Sequence, residues 1–202
     1  MRSDWRCDTC GPVEPLHVME RISHEIMMAA RDRVAAAGDG VPMWCPWPLL
    51  PGWTVTGVAW AGDERAGAKA TAVALSCPAP LGGGPADLVF VAEAPGVGLG
   101  NRLAGLSGPD PGAPLCEALR STAAQAKVKA NGHPTPLWAV GSSLEDRSAY
   151  VGEASGLWLY AVAWPASAGY LLAEQVVLQD LTDSLPTELV YGAPSPYLHG
   201  KA

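Results

Sequence analysis

The chain is short of the residues that usually fill a core. Among 202 residues it has one phenylalanine, Phe90, and two isoleucines, Ile22 and Ile26. Hydrophobic residues still make up 49%, so a packed core is expected and wholesale disorder is not. Its bulk has to come from elsewhere, and eight tryptophans are at hand. Positive charge is scarce too, with 13 Lys and Arg against 20 Asp and Glu and a net charge of −7. A duplex-binding protein gains affinity by setting Lys and Arg on phosphates. Singly scattered cations are poor material for that, which argues against nucleic acid as the main partner. The opening Met-Arg-Ser-Asp-Trp has no apolar core of a signal peptide. Residues 154–173 are uncharged for twenty positions, long enough to span a membrane. Gly156, Pro165 and Gly169 interrupt them, and a strand followed by a helix or turn explains the run better than a membrane span. Five unevenly spaced cysteines do not form a secreted disulfide framework, which points to the cytoplasm and reduced thiols.

What the chain does have begins with Cys7-Asp-Thr-Cys10, a C-x2-C turn of the kind that presents two thiolates to a tetrahedral zinc. No second C-x2-C follows. Another segment (His17, His24 or Cys45) or a second copy of the chain would have to complete a site, in the latter case as a homodimer. The alternative is a pair of reduced thiols. Residues 17–37 read as a helix, with Ile22, Ile26, Ala29, Ala30 and Val34 at helical spacing. Residues 1–40 are thus expected to form a cysteine knuckle plus helix, and 41–202 a single α+β domain.

Within that domain, the run from Trp44 to Trp53 contains three prolines and must be extended. Residues 53–61, 69–77, 88–94, 137–140, 147–152 and 157–164 read as strands, and 62–67 and 153–156 as hairpin connections. Residues 95–112 form a glycine-rich loop and 114–130 a helix. In 157–164, Trp158, Tyr160, Val162 and Trp164 share one face while Leu157, Leu159, Ala161 and Ala163 share the other. Both faces are apolar, so this strand belongs in the middle of the sheet. The expected class is α+β, a mostly antiparallel sheet of five to seven strands with two to three packed helices.

From Pro42 onward a set of motifs recurs together. Trp44-x-Pro46-Trp47-Pro48, Gly52-Trp53, Gly57-Val58-Ala59 and Ala61-Gly62-Asp63 come first, then Gly96-Val-Gly-Leu-Gly100 and Ala104-Gly105-Leu106. They continue with Gly108-Pro-Asp-Pro-Gly112, His133-Pro-Thr-Pro-Leu-Trp138, Tyr150-Val-Gly-Glu153 and the run from Trp164 to Glu174. Over residues 42–181 the chain resembles an uncharacterised actinobacterial family, a domain of unknown function. The resemblance implies no established activity. It does imply a zinc-ribbon-like N-terminus, with a Cys pair ahead of a segment like Trp5-Arg-Cys7-Asp8. This sequence opens without that pair, so the expectation is a truncated or degenerate ribbon.

Candidate chemistry lies in three places. The loop at 95–112 follows a strand, precedes a helix and carries Arg102, an arrangement suited to an anion. Its Gly96-x-Gly98 fails the dinucleotide pattern, because Asn101 stands where the third glycine is required, and no G-K-[ST] follows. Glu93 falls in an otherwise apolar strand and would need a partner such as Arg102 or Arg65. With Asp63, Asp110 and Glu153 it is a possible acid or metal cluster, against the plainer reading of a solvent-facing residue. The third place is the aromatic block, where Trp44, Trp47 and Trp53 either line a groove or fill the core. No G-x-S-x-G occurs for a nucleophilic serine. The first expectation is a non-catalytic module that binds a small molecule or protein through Glu93, Gly96, Gly98, Gly100, Arg102, Asp110 and the tryptophans. The alternatives are a small enzyme for a phosphorylated or acyl substrate, with His133 joining Glu93, Arg102 and Asp110, and a zinc-bridged dimer on Cys7 and Cys10.

Overall fold

Alternating apolar side chains, punctuated by glycine turns, commit most of this chain to one long sheet. The computed structural model describes residues 6–7, 11–19, 21–36, 40–63, 67–141, 144–173 and 176–198. A small ribbon pairs β1 (Arg6–Cys7) with β2 (Gly11–Pro12). Then come β3 (Leu16–Met19), α1 (His24–Ala35), β4 (Trp44–Pro46), β5 (Thr54–Asp63), β6 (Gly67–Cys77) and β7 (Ala86–Glu93). Next are α2 (Leu99–Ala104), α3 (Gly112–Ser121), β8 (Ala126–Ala130), β9 (His133–Val140), β10 (Ser148–Ala154), β11 (Leu157–Trp164) and β12 (Val176–Asp180). Short 3-10 turns occupy Pro80–Gly82 and Ala166–Leu172.

Among the described residues, ten strands form one sheet in the order β3-β5-β6-β7-β11-β10-β9-β8-β12-β4. The class is α+β and the sheet mostly antiparallel, but it has more strands than the five to seven expected. Only the β8–β12 pair in it runs parallel. The two ends of the order do not lie far apart, because β4 packs against β6 and β7. The sheet therefore curls over itself. Its concave side holds the larger core, which includes Trp44 of β4, Phe90 of β7, Leu137 of β9 and Leu178 of β12.

The opposite face carries a second core. Along β7, Leu88, Phe90 and Ala92 point inward, while Val89 and Val91 point to this outer side. Along β11, Leu159, Ala161 and Ala163 point inward, and Tyr160, Val162 and Trp164 outward. The expected division of 157–164 into two apolar faces is the one observed, and β11 lies between β7 and β10. Helix α2 covers this outer face through Leu99, Leu103 and Ala104.

Three local expectations change. The helix expected at 17–37 begins only at His24, where Ser23 caps it by accepting a hydrogen bond from the Ile26 amide at 3.2 Å. Leu16–Met19 instead pairs with β5 as an edge strand. The helix expected at 114–130 ends at Ser121, and Ala126–Ala130 forms a hairpin with β9. Asn131 (φ 45°) and Gly132 (φ 82°) supply the two left-handed residues that a two-residue hairpin turn requires. Third, within 175–181, a stretch whose sequence fits helix and strand alike, Val176–Asp180 forms β12. No helix among the described residues is long and apolar enough to cross a membrane.

Candidate functional site

Strand alternation puts Glu93 on the outer face, beneath α2. It pairs with Trp158 across the β7–β11 register, and Tyr160 pairs with Val91, so Glu93 and Tyr160 share that face as diagonal neighbours. Glu93 is fully buried. The expected arginine partner is not its hydrogen-bond partner; the Gly100 amide donates to its Oε2 at 2.9 Å. Arg65 lies outside the described residues, and Arg102 is on the exposed side of α2. The Glu93 Oε1 has no hydrogen-bond partner among the described residues. Burial pushes this carboxyl up from its ordinary 4.5 to about 7, and neighbouring Asp110 pushes in the same direction.

Asn101 organises the rest of the loop. Its Nδ2 donates to the carbonyls of Ser107 (3.3 Å), Gly108 (2.9 Å) and Asp110 (2.6 Å). Three acceptors on one atom fix the amide orientation, so Oδ1 must take the Tyr160 hydroxyl proton at 2.8 Å. Burial is the dominant cause that favours the protonated Glu93 acid, against the lowering effect of the Gly100 amide and of Tyr160. Asp110 accepts from the Gly96 amide at 2.9 Å and from the Trp158 indole N–H at 2.8 Å. The loop amides that looked available for an anion are thus already held by the chain's own carboxylates. Gly100 is required for another reason: a Cβ there would lie 2.3 Å from the Tyr160 ring. Gly98 (φ 84°) supplies the left-handed residue that starts α2.

The other end of α2 is held by Arg147. Its Nη1 donates to the Leu103 carbonyl at 2.8 Å, and its Nε and Nη2 bind Asp146 at 2.7 and 2.9 Å. Its guanidinium lies 4.9 Å from the centre of the Trp164 ring, which itself stacks on Tyr197 at 4.5 Å. Between α2, the end of β11 and the C-terminal segment is a cleft of about 190 Å³. Leu16, Leu99, Leu103, Pro196 and Leu198 give its apolar wall, and Arg102, Arg147, Trp164 and Tyr197 its polar one. The Trp164 Nε1 is buried and has no acceptor among the described residues.

The structure therefore gathers Glu93, Gly96, Gly98, Gly100 and Asp110 into a closed network and places Arg102 on the cleft beside it. Trp44 (1% exposed) and Trp53 (7%) are core residues, and Trp47, half-buried, packs against the same core. His133 is exposed on β9, three strands from β7 and, by the register, three residues beyond the row that holds Glu93. The four-residue enzyme constellation does not assemble. Asp63 is exposed beside the β5–β6 hairpin connection, and Glu153 Oε1 accepts from the Gly156 amide at 2.6 Å in the β10–β11 turn.

For the zinc expectation, Cys10 lies outside the described residues, and of Cys7 only the backbone pairing is described. No group of three or more ligand-type side chains is found among the described residues. Of the completing ligands considered, Cys45 is buried, and desolvation pushes its thiol up to about 12. His17 stacks on Trp60, and His24 Nδ1 is 3.3 Å from the Tyr191 hydroxyl.

A family model matches residues 1–198. The chain belongs to DUF6758, a family of unknown function. A search of curated proteins and a search of solved structures each return no match. The site in this DUF6758 chain therefore has to be read from its own geometry. The sequence reading missed Arg147, Trp164, Tyr197 and Asn101. The outward face of β11 was the one signal that could have found Trp164. Asn101 was visible only as the residue that spoils a glycine motif.

Proposed function

We propose that this DUF6758 protein is a non-catalytic module that binds a small molecule in the cleft between α2, β11 and the C-terminal segment. One observation carries the reading. Two arginines, Trp164 and Tyr197 border a cleft whose lining is mostly polar and is completed by Leu16, Leu99, Leu103, Pro196 and Leu198. Binding sites commonly combine an apolar lining with a few convergent polar groups. The network at Glu93 and Asn101 supports the reading as a scaffold, because it fixes the helix that supplies Leu99, Arg102 and Leu103. Glu93 itself is sealed from solvent and poorly placed for catalysis. Zinc on Cys7 and Cys10 joins the proposal as a structural element, supported by the C-x2-C spacing, and the cytoplasm as its compartment, supported by the cysteine spacing.

The test is a fragment screen read by amide shift mapping on isotope-labelled protein. Hits are expected to move the resonances of Leu99, Leu103, Arg147 and Trp164 together. Hits that map consistently elsewhere, or none at millimolar concentration, would refute the site.

A further inference from the structure

We infer that the ligand of this cleft is a small amphipathic anion: one ring or a short branched chain bearing an oxyanion head. The inference rests on the ligand-site reading above and adds the chemical class.

The head group follows from the donors. A guanidinium has five N–H groups. Arg147 uses three of them, on the Leu103 carbonyl and the Asp146 carboxylate, which leaves one on each terminal nitrogen. Two such groups on one planar fork fit the two oxygens of a carboxylate or phosphate. The Trp164 ring lies behind these groups in the cleft wall; its indole N–H is buried and has no acceptor among the described residues. Arg102 adds a second cation to the rim, and no carboxylate lines the cavity among the described residues. Asp146 touches Arg147 and is itself exposed, so it offsets part of the charge. Among the described residues, a cationic ligand meets two like charges in the wall and no carboxylate.

The body follows from the volume and the lining. An apolar cavity of about 150 Å³ is enough for a benzene ring. At about 190 Å³, this cleft has room for one ring and a small head group, and little more. Leu99, Leu103 and Leu198 offer contact to a hydrocarbon body. The Trp164 ring already touches Tyr197 and Arg147, which leaves the leucines as the main surface for that body.

Calorimetric titration of the full chain with four probes of similar shape tests the class: benzoate, phenyl phosphate, benzamide and benzylamine. At least one of the two oxyanions is expected to bind tenfold or more tighter than benzamide, and benzylamine to give no heat. Which oxyanion wins distinguishes a carboxylate from a phosphate ligand. Arg147→Gln and Arg102→Gln are each expected to weaken the oxyanion at least fivefold and leave benzamide unchanged. Should Arg147→Gln fail to fold, Arg102→Gln on the exposed side of α2 carries the comparison. Benzamide binding as tightly as benzoate, with shifts at Trp164, would overturn the anion class and leave the binding module intact. Oxyanion binding indifferent to Arg102→Gln overturns the class too, as does silence from all four probes. Shifts confined to another surface would overturn both readings.

Discussion

Replacing Glu93 by glutamine should stabilise the protein, and by an amount that grows with pH. Burial pushes the folded-state carboxyl up to about 7 from an ordinary 4.5, with Asp110 adding to the push, and its Oε1 has no hydrogen-bond partner among the described residues. Below pH 4.5 the group is protonated whether the chain is folded or not. Between 4.5 and about 7 the unfolded chain releases a proton that the folded chain keeps, so stability falls as pH rises, at about 1.4 kcal/mol per unit. Above 7 the loss is complete, at about 3 kcal/mol. Glutamine is neutral throughout. Its carbonyl still accepts from Gly100, and its amide can donate to the Tyr160 oxygen. Urea unfolding of both proteins isolates this one group, since all other titrations cancel in the difference. From pH 5 to pH 8 the stability of Glu93→Gln relative to the parent should rise by about 2.5 kcal/mol. A difference that stays constant over that range refutes the reasoning about the burial of Glu93.

Three further outcomes are expected. Gly100→Ala should destabilise by about 1–3 kcal/mol in urea unfolding, because the new methyl meets the Tyr160 ring, although alanine would otherwise gain about 1 kcal/mol in a helix; a stabilised variant would mean that the ring is free to move. Asn101→Ala strands the Tyr160 hydroxyl and the 107–110 carbonyls, and should cost about 3 kcal/mol and speed amide exchange across 105–111; unchanged exchange there contradicts its role as a staple. Native mass spectrometry with zinc quantification should find metal that is lost in Cys7→Ser and Cys10→Ser; a metal-free parent protein removes zinc from the account.

The parts of the fold legible in the sequence are those set by short-range pattern. The period-two run at 157–164 gave both faces of β11 and its interior position. The hairpin connections near Asp63 and at Ser155-Gly156 lie between the strands they were expected to join. The strand at 126–130 was obscured because alanine and lysine are good helix formers. Its alternation of buried Ala126, Val128 and Ala130 with exposed Lys127 and half-buried Lys129 carries the strand signal, and Asn131-Gly132 the turn. The tryptophans followed the need for bulk: with so few Phe and Ile, Trp44, Trp53 and Trp164 became core.

The site was half legible. Glu93 stood out as a carboxylate in an apolar strand, and it does sit at the centre of a buried network. The cleft did not stand out. Its polar wall depends on the pairing of Ser148 with Ala163, which brings Arg147 beside Trp164, and on a C-terminal segment that returns to lay Tyr197 on the indole. Neither relation has a local signature. The closed network likewise depends on α2 folding back over β7 and β11, a path that the glycines at 96, 98 and 100 permit but do not announce.

The cleft is the central claim, and fluorine resonances of the tryptophans test it most directly. With 5-fluorotryptophan incorporated throughout and the Trp164 signal assigned by Trp164→Phe, benzoate titration should move that signal in a saturable way and leave those of Trp44 and Trp53 still. A Trp164 signal that stays fixed while benzoate binds, or while nothing binds, would contradict the account.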